Sequence, residues 1–169
     1  MRDVEVEWRL FSLQLIHAGK EDPLADLHVK GTPALRTLAL VRRTAGNKGV
    51  DAVYAAIGAR VHDGGEELDY ATVERALEDA GFDGELVARA LDDDSTMDDV
   101  RRDHEAAVEE TGAFGVPTLV LSSGRAMFGP VIARAPHGEA AGELWDHVSA
   151  LIEVDGFFEL KRERDWGPG

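Results

Sequence analysis

The chain has 169 residues and a net charge of −15, with 44% hydrophobic and 30% charged residues, a balance that excludes a disordered chain. It contains no cysteine, which excludes a disulfide framework, a thiolate zinc site and a cysteine nucleophile within these residues. Residues 1–60 carry nine Lys/Arg against seven Asp/Glu, whereas residues 66–110 carry four against 17, so nucleic acid, which needs a basic face, is a poor partner.

At the start of the chain, Val4, Val6, Trp8 and Leu10 alternate with Glu5, Glu7 and Arg9, which predicts a strand with one wet face. Gly19 to Gly31, with Pro23 between them, reads as a loop. A helix is expected from Pro33, with Thr32 as its cap, and Gly46-Asn47-Lys48-Gly49 breaks it. Val50, Val53, Tyr54, Ile57 and Val61 mark the next helix, which stops before Asp63-Gly64-Gly65. Asp69 caps a helix that carries Val73, Ala76, Leu77 and Ala80 and ends at Gly81. Asp83 caps a shorter one with Leu86, Val87, Ala90 and Leu91. Thr96 with Asp99 resembles a capping box for a helix running to Glu110 and ending at Gly112.

After Gly115 the pattern changes. Pro117-Thr118-Leu119-Val120-Leu121 predicts a short apolar strand, Ser122-Ser123-Gly124 a turn, and Arg125 to Phe128 the returning strand, closed by Gly129-Pro130. Behind Gly138, Ala141, Leu144, Trp145, Val148, Leu151 and Ile152 form the apolar stripe of a last helix, with Trp145 expected to be buried. The tail from Phe157 begins aromatic and ends in Trp-Gly-Pro-Gly. No apolar run reaches bilayer length, and Met1-Arg2-Asp3-Val4-Glu5 does not resemble a signal peptide, so a cytoplasmic protein is expected.

For chemistry, the six histidines come first. His17, His28, His62, His104, His137 and His147 form no His-Glu-x-x-His or other ligand spacing, and no metal site is expected from them. No nucleophile elbow, phosphate loop or dinucleotide fingerprint is present. Asp92, Asp93, Asp94, Asp98 and Asp99 read as a solvated helix start, favoured by the helix dipole. The competing reading of the acidic stretch is a docking face for a basic partner. Gly115-Val116-Pro117-Thr118-Leu119-Val120 is the most informative segment. A proline at the head of an apolar strand is tolerated because the first strand residue need not donate to the ladder. A trans bond there would only mark the start of the strand; a cis bond would leave the backbone groups of the preceding residue unpaired and open to an extended peptide or a thiol.

Val116-Pro117-Thr118, Phe128-Gly129-Pro130-Val131, the run from His137 to Asp146, Phe157 to Arg162, and the stretch from Arg60 to Asp69 together carry a resemblance. The chain resembles the DsbA-like branch of the thioredoxin superfamily, and within it the actinobacterial mycothiol-dependent nitroreductases. The resemblance implies an α/β, thioredoxin-like domain over residues 1–169: strand and loop over 1–32, a helical insertion over 33–112, and the cis-proline strand, hairpin, last helix and tail over 113–169. It implies Val116, Pro117 and Thr118 as substrate-binding residues, a low-molecular-weight thiol such as mycothiol as co-substrate, and no covalently bound cofactor.

The family's chemistry uses a Cys-Pro-x-Cys motif after the first core strand, and Val4–Leu10 matches the second core strand. The expectation is therefore an amino-terminally truncated member, without catalytic residues and without redox activity in these 169 residues. Two alternatives stand beside it. One is a non-catalytic thioredoxin-fold binding protein, whose missing strand comes from a partner or a second copy in a homodimer. The other is a relative of the kappa-class transferases and hydroxychromene-carboxylate isomerases, whose serine and bound glutathione lie in the missing segment.

Overall fold

The computed structural model describes residues 2–132 and 134–163; the terminal Trp-Gly-Pro-Gly lies outside them. The described chain is α/β and mostly helical, with a small two-stranded sheet, and it divides into two compact units. One is Glu7–Ala107. The other joins the segment up to Val6 with the chain from Val108 onward.

The predicted strand over Val4–Leu10 is not formed, and its Glu7–Leu10 part belongs to the Glu7–Ala107 unit. A strand needs a neighbouring backbone, and here side chains take its place. The Trp8 N–H donates to Asn47 Oδ1 at 2.8 Å, and the Leu10 N–H donates to Asp103 Oδ2 at 3.0 Å. The segment predicted as a loop holds two short helices, α1 (Leu13–Ile16) and α2 (Ala25–Lys30), with Ser12 capping the first through the Leu15 N–H.

Helix α3 (Thr32–Gly58) starts with Pro33 in its first turn and bends at Gly46, whose φ of 66° suits glycine. The break is where the sequence places it. Thr32 does not cap this helix; its hydroxyl donates to Gln14 Oε1 at 2.8 Å, because Gly31 occupies the cap position. A wider π-type turn over Ala59–Asp63 ends the run, with the Gly64 N–H reaching Ala59 O at 2.9 Å.

Helix α4 (Tyr70–Asp79) is capped by Asp69 as expected, through the Thr72 N–H at 2.8 Å. Helix α5 (Leu86–Asp92) has Glu85 rather than Asp83 at its cap position, and the Asp83 side chain accepts the Glu85 N–H at 3.0 Å. Val41, Val50, Val53, Val73, Leu77 and Val87 are buried where these helices meet. This is the apolar face that the three-to-four spacing predicts.

Helix α6 (Ser95–Thr111) corrects two expectations. Its first turn is capped by Asp93, which accepts the Ser95 N–H at 3.0 Å, and not by a Thr96–Asp99 box. The buried Thr96 hydroxyl faces back to α5, donating to Ala90 O at 2.7 Å. The aspartates at this helix start are also not uniformly solvated. Asp92, Asp94 and Asp98 are exposed, but Asp99 is buried and bound by Arg43 at 2.6 Å and by Arg102. The reason is a set of arginines on α3. Arg36 donates to Thr96 Oγ1 and to the Leu91 and Asp93 carbonyls, Arg42 pairs with Asp103, and Arg43 spans Asp93, Asp99 and Ser95 O. The Arg36 guanidinium thus reaches the carbonyls at the end of α5, joining the Thr96 N–H on Asp93 O.

In the other unit, strand β1 (Thr118–Val120) pairs antiparallel with β2 (Ala126–Phe128), in the register Thr118 to Phe128, Leu119 to Met127 and Val120 to Ala126. Helix α7 (Glu139–Ile152) follows Gly138. Its last turn is tied to the hairpin turn, where Ser123 Oγ donates to Glu153 at 2.7 Å and Arg125 pairs with Glu153 and Asp155. Of the predicted stripe on α7 only Ile152 is buried; Trp145 is half-buried, and Leu151 is exposed. A two-stranded sheet is too narrow to cover a stripe of that width.

Candidate functional site

The chain turns from α6 into β1 through Ala113 and Gly115, both buried. A Cβ on Gly115 would lie 3.1 Å from the Phe128 ring, so glycine lets that ring settle against the backbone. Phe114 stacks on Phe128 with centroids 5.2 Å apart. The Val116–Pro117 bond is cis, as the resemblance implies, and so is Gly129–Pro130.

The ladder has a definite polarity. The Gly129 N–H donates to Pro117 O at 2.8 Å and the Leu121 N–H to Arg125 O at 2.9 Å. In antiparallel pairing this turns the backbone groups of Thr118 and Val120 to the outer edge of β1. Among the described residues they meet no backbone partner there, so the edge is open. Val116 is 46% exposed beside it. The Thr118 hydroxyl points inward, donating to Gly115 O at 2.8 Å.

Two hollows adjoin the hairpin. A small one of about 180 Å³ is lined by Thr118, Phe114, Phe128 and Phe157. A larger open groove of about 940 Å³ runs from Phe128 and Met127 to Leu144, Val148 and Ile152 of α7. Arg134, Lys161 and Arg162 line it together with Glu159 and Glu163, giving an apolar floor with mixed charge. Of the three residues singled out in the sequence, only Thr118 lines a hollow; Val116 and Pro117 stand exposed at the head of the strand. Of the aromatic walls, Phe128 stands in the sequence as the end of the predicted returning strand, with no role in a site, and Phe114 goes unmarked. Its signal is a phenylalanine just before the buried Gly115 that leads into the predicted hairpin.

The sequence profile of the Rv2466c-like family, described as mycothiol-dependent nitroreductase Rv2466c, matches residues 1–162. The chain belongs to that family. "Uncharacterized protein Rv2286c" of Mycobacterium tuberculosis is 40% identical over 164 residues, covering 95% of this chain and 70% of that protein. Membership in the Rv2466c-like family brings a mycothiol-dependent oxidoreductase background to a chain with no cysteine of its own. Among the described residues, no helix is long and apolar enough to cross a membrane.

A second cluster lies in the Glu7–Ala107 unit. His17, Asp22 and His28 each offer a ligand atom within 4.8 Å of the others. Sequence spacing gives no hint of it, because the two short helices that bring these residues together read as a loop.

Proposed function

We propose that the chain is a DsbA-like, thioredoxin-fold member of its family that binds a low-molecular-weight thiol or a small-molecule substrate against Val116, Pro117 and Thr118. What supports this reading is the family match across residues 1–162, together with the open edge of β1 and the small hollow lined by Thr118, Phe114 and Phe128. An extended ligand on that edge would hydrogen-bond to the backbone of Thr118 and Val120, as in strand addition. Phe114 and Phe128 would shield it from water, and the hollow they form with Thr118 would hold its apolar part.

The redox step of such a family is attack of a thiolate on a disulfide, forming a mixed disulfide and releasing the second sulfur as a thiolate. No residue of this chain supplies that thiolate. We therefore propose that these 169 residues bind the thiol without exchanging it. Titration with mycothiol, followed by amide resonances, is expected to shift Thr118, Val120 and Phe128 with no disulfide exchange. Shifts confined to the Glu7–Ala107 unit, or none at all, would overturn the reading.

The absence of cysteine favours a second reading, a binding protein without catalysis. Intact mass and thiol titration on the protein from its own cells separate the two. A heavier product with two reactive thiols supports redox chemistry, and a mass matching these residues with no thiol supports the binding protein.

A further inference from the structure

We propose that His17, Asp22 and His28 form a binding site for a divalent transition-metal ion of the zinc class, with both imidazoles ligating through Nε2. The argument starts from the other nitrogen of each ring. His17 Nδ1 lies 2.8 Å from the Leu13 carbonyl oxygen, which can only accept, so this nitrogen carries the proton and donates. His28 Nδ1 lies 2.7 Å from Asp22 Oδ2 and donates to the carboxylate in the same way. Both rings therefore hold Nδ1–H against an oxygen and leave Nε2 for a ligand. This is the arrangement in which a carboxylate or carbonyl orients a metal-binding histidine.

Three further observations agree. The rings of His17 and His28 lie with centroids 4.9 Å apart and planes inclined by 20°, so two imidazoles are held within reach of one ion. The side chains of His28 and Asp22 are 9% and 11% exposed, which makes this a built pocket rather than a surface coincidence. Asp22 is itself held in place, with Oδ1 accepting the Leu24 N–H at 3.0 Å. The Asp22 carboxylate, set against His28 Nδ1, orients that imidazole and strengthens it as a donor.

One ligand atom from each of His17, Asp22 and His28 lies within 4.8 Å of the others. With the two imidazoles as ligands and Asp22 behind His28, the remaining coordination positions are left to solvent or a further ligand. Softer thiolate donors are lacking, and two imidazoles suit zinc, cobalt or nickel over magnesium or calcium.

The test is titration of the full chain, free of any affinity tag, with Co2+ followed by its visible ligand-field absorption, and with Zn2+ by calorimetry. One equivalent of each ion is expected to bind. The double variant His17→Ala/His28→Ala is expected to lose the absorption, and Asp22→Asn to weaken binding about 10–100-fold, with helicity by circular dichroism confirming that both fold. As a second control, His62→Ala/His137→Ala/His147→Ala is expected to bind as the parent does. The proposal is overturned if the parent binds no ion, if binding survives in the double variant, or if it is lost only in the triple variant.

Discussion

The buried carboxylate of Asp103 joins two parts of the helical unit, accepting the Leu10 N–H at 3.0 Å and pairing with the Arg42 guanidinium. It does for Leu10 what a neighbouring strand would otherwise do. Removing it leaves a buried N–H without an acceptor and a half-buried guanidinium without a counter-charge. The Asp103→Ala variant is therefore expected to lose about 2–4 kcal/mol of stability in urea unfolding. Asp94→Ala, which truncates a fully exposed carboxylate of the same acidic stretch, is expected to change stability by about 0.5 kcal/mol or less. Equal losses in the two variants would show that Asp103 has no special role.

That contrast also marks where sequence reasoning stops. Hydrophobic spacing identifies the faces of α3, α4 and α5, and turn residues locate the bend at Gly46 and the β1–β2 hairpin, because these signals are local. Asp94, Asp99 and Asp103 look alike in sequence. What separates them is which of them meets Arg42 or Arg43, and that depends on the packing of α3 against α5 and α6. The segment from Val4 to Leu10 has the alternation of a strand, but alternation specifies only which side chains face inward, not whether a backbone partner is present. In the candidate site, the head of β1 is legible through Pro117. The groove is not, because Leu144 and Val148 read as an ordinary apolar stripe. The histidine cluster is hidden because α1 and α2 are too short to show a period.

Gly49 of α3 is a packing requirement. A Cβ there would lie 2.6 Å from Ala45 Cβ, 2.9 Å from Val41 Cγ1 and 3.3 Å from the Phe82 ring. Val41 is fully buried and cannot swing away. Helix propensity favours alanine over glycine by about 1 kcal/mol, so stabilisation is the naive expectation. Overpacking costs about 1–3 kcal/mol and is expected to prevail, making Gly49→Ala less stable in chemical denaturation. A more stable Gly49→Ala would show that the Ala45 and Val41 contacts relax freely.

Gly142 of α7 presents the opposite case. Arg2 crosses it to reach Glu139 and Asp146, and a Cβ on Gly142 would lie 2.7 Å from Arg2 Nη1. Here the obstacle is the end of a flexible side chain, which can move. In an Arg2→Ala background, Gly142→Ala is expected to stabilise by about 1 kcal/mol through helix propensity. With Arg2 present the gain is expected to be smaller, because the guanidinium is displaced. A double-mutant cycle measures the difference. Identical gains in both backgrounds would show that Arg2 is not seated on Gly142.

His104 couples folding to pH. It is buried on α6, its ring packs against Phe11 with centroids 4.5 Å apart, and its Nδ1 has no partner among the described residues. Burial pushes its pKa below the ordinary histidine value, and the nearby Glu105 charge opposes this without reversing it. The folded state therefore binds a proton less readily than the unfolded state, where histidine titrates near about 6.5. Between the two values the unfolded chain holds more protons, so stability rises with pH across that window. It is fully present above about 6.5 and lost as pH falls toward the lowered folded value. Urea unfolding is thus expected to give lower stability at about pH 5.5 than at about pH 7.5. The gap is expected to narrow in His104→Leu, which keeps the apolar contact with Phe11 and removes the proton site. A gap unchanged in that variant would assign the acid sensitivity to other histidines.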